Sequence, residues 1–118
     1  MSTSTILVIG NNAHFGYLMQ RYISQSDHRG FFINPGTPVW TAILQEKPAA
    51  IILEITSPGI EELSLLHTLK TDSSTCEIPV VICSWHDDHY PGEEMADGYL
   101  HMPALYEEFI KALTYIGL

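Results

Sequence analysis

Positive charge is what this chain has least of: five Lys and Arg stand against 14 Asp and Glu, a formal net charge of −9. Duplex DNA and anionic membrane surfaces are bound by clustered Lys and Arg that displace counterions. Arg21, Arg29, Lys47, Lys70 and Lys111 are scattered, so no direct contact with nucleic acid is expected. Long apolar runs are missing as well. The longest, about six residues, are a third of what a membrane-spanning helix needs. Cysteine is scarce, and Cys76 and Cys83 fit no zinc or redox spacing. Reduced thiols and a cytoplasmic setting are the expectation. The opening Met-Ser-Thr-Ser-Thr carries no basic region that would mark a secretory signal. Repeats, low-complexity tracts and linkers are absent.

What remains fits one domain over residues 1–118. Apolar residues make up 46% of it, too many for a disordered acidic tail. The acidity is uneven. Asp27, Glu46 and Glu54 balance Arg21, Arg29 and Lys47 in the first 58 residues, so the whole surplus lies in the second half.

Two periodicities alternate along the chain. Ile6-Leu7-Val8-Ile9 is a short, mostly β-branched run stopped by Gly10-Asn11-Asn12, the pattern of a strand buried on both faces. Phe15, Leu18, Met19, Tyr22 and Ile23 follow on one helical face. Phe31-Phe32-Ile33 forms a second strand. Thr37 and Pro38 start a helix, with a hydroxyl cap and proline at its first position, and it turns Trp40, Ile43 and Leu44 inward before Pro48. Ala50 to Leu53 is the third strand, running into Glu54, with a turn at Ser57-Pro58-Gly59. Ile60, Leu63, Leu66 and Leu69 mark a helix, and Ile78 to Cys83 the fourth strand. Only a short helix around Glu93 to Ala96 fits the polar stretch beyond it. Tyr99-Leu100 makes a brief fifth strand, and Leu105, Phe109, Ala112, Leu113 and Ile116 a closing helix. Five βα units imply a parallel sheet with helices on both faces, whose functional groups gather at the carboxyl ends of the strands. Those ends are Gly10/Asn11, Asn34, Glu54, Ser84 and Met102.

Three segments match a known family in order: Ile51-Ile52-Leu53-Glu54-Ile55-Thr56-Ser57-Pro58-Gly59, Ile78-Pro79-Val80-Val81-Ile82-Cys83-Ser84, and Gly98-Tyr99-Leu100-His101-Met102-Pro103. They resemble the receiver domain of response regulators, the phospho-accepting module of two-component signalling, across essentially the whole chain. The resemblance implies an α/β fold, (βα)5 and doubly wound, flavodoxin-like or CheY-like, with strand order 2-1-3-4-5.

The departures from that family carry the functional reading. Gly10 and Asn11 stand where an acidic pair would help hold Mg²⁺. Glu54 stands at the phospho-accepting Asp, and Met102 at the lysine that contacts the phosphoryl group. Ser84 and Tyr99 keep the hydroxyl switch residue and its coupled aromatic. Trp85 replaces the small residue after the switch, and the stretch from Ser84 to Tyr99 is shorter than in the family. Phosphoryl transfer depends on cations that neutralise the equatorial oxygens. Each lost electrostatic contact of this kind costs roughly 2.7–4 kcal/mol, so transfer is expected to be gone and Mg²⁺ binding weak or absent.

Glu54 then has two readings. Its longer carboxylate reaches a phosphoryl-like position and accepts from Ser84, or it faces water and does nothing. Trp85 is either a lid over the former pocket or a surface aromatic filling space beside a shortened helix. His86-Asp87-Asp88-His89 reads as a solvated loop rather than a metal site, and Ser84, His86 and Asp87 lack the setting of a hydrolase triad. No cofactor and no enzymatic activity are expected. The resulting expectation is a phosphorylation-independent pseudo-receiver acting by protein–protein contact. Its partner would be a signalling protein such as a histidine kinase or an output domain, basic in surface, or a second copy in a homodimer. The alternatives are a residual phospho-acceptor and a small-ligand sensor using a rim pocket between Gly10, Glu54 and Met102.

Overall fold

A computed structural model describes residues 4–34, 38–56, 60–85 and 93–118. The elements run β1 (Thr5–Ile9), α1 (Ala13–Gln25), β2 (Arg29–Ile33), α2 (Val39–Glu46), β3 (Ala50–Ile55), α3 (Ile60–Thr71), β4 (Val80–Ser84), a 3-10 turn (Glu93–Met95), β5 (Gly98–His101) and α4 (Tyr106–Tyr115). All strand pairs are parallel and the order is β2-β1-β3-β4-β5. This is the doubly wound arrangement that the alternating runs imply.

The three central strands are apolar on both faces because both faces are covered. Ile6, Val8, Ile52, Val81 and Cys83 point to one side, against Phe15, Met19 and Ile23 of α1 and Phe109 and Leu113 of α4. Leu7, Ile9, Ile51, Leu53 and Ile82 point to the other, against Ile43 of α2 and Leu66 and Leu69 of α3. Alternate residues of a strand face opposite ways, so one continuous apolar run feeds two core layers. The edge strands are more open, with Phe31 and Tyr99 both exposed.

Some details differ from the sequence reading. Among the described residues there are four α-helices, and the short helix expected around Glu93 to Ala96 is a 3-10 turn at Glu93–Met95. α2 begins at Val39 with Pro38 as its N-cap, and no side chain caps it; Thr37 lies outside the described residues. Leu44 is half exposed, since the eight-residue α2 turns only a narrow stripe to the sheet. β4 starts at Val80, two residues after Ile78, because the turn from Asp72 still holds Ile78 through the Thr75 carbonyl and Pro79 has no N–H to give. Leu105 is exposed because it is the N-cap of α4 and precedes its periodicity. The other helical faces hold, and Tyr106 packs edge-on against Tyr22 with ring centres 5.4 Å apart. No helix among the described residues is long and apolar enough to cross a membrane.

Candidate functional site

The carboxyl ends of β1, β3 and β4 converge on one side chain. Glu54 is the penultimate residue of β3, paired in register with Cys83, and only 2% of it is exposed. Its Oε1 accepts from the backbone N–H of Asn11 at 3.1 Å and of Asn12 at 3.4 Å. Its Oε2 accepts from the indole N–H of Trp85 at 3.0 Å. Of the two readings of Glu54, the water-facing one therefore fails: the carboxylate is buried and bonded on both oxygens.

Local sequence explains the arrangement. Asn12 is the N-cap of α1, and its Oδ1 accepts from the N–H groups of His14 and Phe15. That leaves the N–H groups of Asn11 and Asn12 pointing at the sheet. The first turn of α1 contains no acid, although a helix N-terminus favours negative charge. Glu54 supplies that charge from 43 residues away. The glycine makes room: a Cβ at Gly10 would lie 2.8 Å from Glu54 Oε1 and 3.2 Å from Glu54 Cβ.

Side-chain alternation selects the third donor. Cys83 lies on the α1/α4 side with Glu54, and the residue two further along a strand returns to the same face. Trp85 thus comes to the carboxylate from the β4 side, where the sequence reading looked to Ser84. Ser84 itself pairs in register with His101, and Tyr99 with Ile82. Ser84 and Tyr99 are placed on adjacent strands, one alternation apart on the same face. Tyr99 is 52% exposed and lines a groove of about 580 Å³ with His101, Glu108, Lys111 and Tyr115 between β5 and α4. Tyr115 is 80% exposed there.

Met102 is the other departure at the rim. It is 1% exposed and belongs to the core layer of Phe15, Leu100 and Phe109, while its N–H donates to the Ser84 carbonyl at 2.7 Å. Gly10, Glu54 and Met102 are all buried at this end of the sheet. A separate hollow of about 260 Å³ opens on the opposite face, lined by Ile9, Asn11, Val39, Leu53, Glu62 and Leu65.

The donor set suits an anion. Mg²⁺ takes hard oxygen ligands in near-octahedral geometry, whereas here both carboxylate oxygens face N–H groups and positions 10 and 11 bring no acid. The residues present do not fit a divalent cation. Among the described residues, no cluster of three His, Cys, Asp or Glu could hold a metal ion. His86, Asp87, Asp88 and His89 lie outside the described residues. The Cys83 thiol, buried beside this site, has its pKa pushed up by burial and then by the charge of Glu54.

Comparison with known proteins adds the fold relationship. No family model matches the chain, and no curated protein matches it in sequence. Solved structures do match. A chemotaxis response regulator of Vibrio cholerae superposes with a TM-score of 0.82 over 98% of this chain and 99% of its own, at 12% identity. A CheY-like receiver domain from Methylobacillus flagellatus gives 0.82 over 98% and 99%, at 17% identity. The receiver domain of a signal transduction histidine kinase from Syntrophus aciditrophicus gives 0.80 over 97% and 89%, at 15% identity. The chain has the receiver-domain fold.

Two contributions to the site were not read from sequence: the backbone donors of Asn11 and Asn12, and the space left by Gly10. The signal for both was Gly-Asn-Asn before an amphipathic helix with no acid of its own in the first turn.

Proposed function

We propose that this chain is a receiver-like signalling module of two-component type that works without phosphorylation and acts by protein–protein contact. The observation that carries this reading is the buried Glu54 carboxylate. A phospho-accepting carboxylate has to meet a phosphoryl donor and a metal ion. Here the corresponding group is sequestered under Trp85 and bonded to Asn11 and Asn12. Its charge is compensated by N–H donors rather than by Mg²⁺, and Met102 contributes no cation.

The partner side of the proposal rests on the β5–α4 edge. Tyr99 and Tyr115 present exposed rings there, beside Glu94 and Glu108. Of the two lysines in the second half, Lys70 is held by Asp97 at 2.8 Å. With Glu94, Asp97 and Glu108 against Lys111, this surface is aromatic and on balance acidic, and it suits a signalling partner with a basic face, such as a histidine kinase or an output domain; a homodimer would have to place its two acidic faces apart. The cytoplasm is the matching compartment, and no catalytic activity is assigned.

The deciding experiment is incubation of the intact protein with acetyl phosphate and Mg²⁺, followed by intact-mass measurement and Trp fluorescence. The expected result is no phosphoryl adduct and no change in emission. A stable adduct that disappears in Glu54→Gln would overturn phosphorylation independence and restore the phospho-acceptor alternative.

A further inference from the structure

We propose that the junction of β1 and α1, closed by Trp85, is a carboxylate-binding site whose resident ligand is the side chain of Glu54. It deepens the reading above, resting on Glu54 as the fixed anion of the rim, and it names the ligand chemistry of that position as a monocarboxylate. Two separate segments of the chain aim three donors at the same group. The end of β1 and the start of α1 give the N–H groups of Asn11 and Asn12, and the segment after β4 gives the indole of Trp85.

The electrostatics follow the same logic. The N-terminus of a 13-residue helix lies behind the backbone donors, and aligned peptide dipoles favour an anion there. Asn12 satisfies the N–H groups of His14 and Phe15 with its own Oδ1, while the N–H groups of Asn11 and Asn12 are directed at Glu54. The Asn11, Asn12 and Trp85 groups that bond the carboxylate are neutral N–H donors. Gly10 and Phe15 bound the carboxylate on one side, the atoms nearest a Cβ at position 10 being Glu54 Oε1 and Phe15 Cδ2. A site built from neutral donors and one aromatic lid recognises a small planar anion; it has nothing to offer a cation.

Removing the tether should therefore leave a site for a free carboxylate. In Glu54→Ala, the truncated side chain leaves the three donors facing an open space of carboxylate size, and a ligand that binds only the folded state raises the midpoint of unfolding with concentration. The probe is sodium acetate, compared with sodium chloride at equal ionic strength and with methylammonium chloride. The expected result is a saturable rise in Tm for Glu54→Ala with acetate only, accompanied by a change in Trp emission, and no such rise in the unsubstituted protein. An equal response of both proteins, or of acetate and chloride, overturns the proposal.

Should Glu54→Ala fail to fold, Glu54→Gln keeps the volume and removes the charge. The amide protons of Asn11 and Asn12 and the Trp85 indole proton should then all move upfield relative to the unsubstituted protein. Unmoved resonances overturn the proposal equally. The acetyl phosphate experiment fails or succeeds independently of both, so loss of phosphorylation independence and loss of the carboxylate site remain distinguishable.

Discussion

Gly10 and Glu54 occupy each other's space: the Cβ that any other residue would place at position 10 falls 2.8 Å from the Glu54 carboxylate. Both are buried at the end of the sheet. An acidic side chain at position 10 could not coexist with Glu54 in its present position. The missing side chain at position 10 and the placement of the Glu54 carboxylate are thus a single structural solution.

Gly10→Ala tests that coupling. The added methyl meets Glu54 and also Phe15 at 3.1 Å, and overpacking of this kind costs about 1–3 kcal/mol. Chemical denaturation should show that loss with an unchanged m-value. In Glu54→Ala the obstruction disappears, so the double variant should cost at least about 0.5 kcal/mol less than the sum of the singles. Strict additivity would mean that the two residues do not share the space.

Trp85→Phe removes the indole donor while keeping an aromatic ring. Hydrogen bonds to charged groups contribute about 1.5–3 kcal/mol, and water can replace this one because the ring is 40% exposed. A loss of about 1 kcal/mol is expected, with greater solvent access to the carboxylate. Amide exchange at Asn11 and Asn12 is the local readout, and it should quicken. Unchanged stability and exchange would reduce Trp85 to a surface aromatic.

The strands and the positions at their carboxyl ends were legible in the sequence because buried parallel strands need unbroken apolar runs, whereas their spatial order was implied by the resemblance to receiver domains. Ile6 to Ile9 and Ala50 to Leu53 each serve two core layers, and nothing else accounts for such patterning. The rim chemistry was less legible. Whether Glu54 faces water or the α1 terminus depends on a backbone direction and on the missing Cβ of Gly10, neither of which is a property of the Glu. Trp85 was visible as a candidate lid, but its partner follows from the alternation along β4, and Ser84 stood nearer the family pattern. Leu44 and Leu105 were misplaced for a simpler reason: both sit at the margin of a short helix, where apolar character no longer implies burial.

Met102, just beyond β5, gives a packing prediction. Its side chain is buried with Leu100 and Phe109, so truncation to Ala should cost about 2–5 kcal/mol. Met102→Leu conserves volume and should cost less than about 1.5 kcal/mol. Equal small effects for both would place the side chain outside the core and reopen the rim as a cavity.

Cys83 supplies the pH dependence. Burial, and then the charge of Glu54, raise its pKa above the ordinary thiol value of 9.0. In the unfolded chain the thiol ionises near that ordinary value, while in the folded chain it keeps its proton to higher pH. Above it the unfolded state binds fewer protons, so this contribution to stability is intact at lower pH and lost as pH rises. Measured by denaturation between roughly pH 8 and 10.5, the unsubstituted protein should lose its lead over Cys83→Ala by up to about 1.4 kcal/mol per pH unit. Parallel curves would refute the assignment. Thiol titration of the native protein provides a second check: half-buried Cys76 should react first and Cys83 only on unfolding, because the buried thiol stays protonated and shielded from reagent.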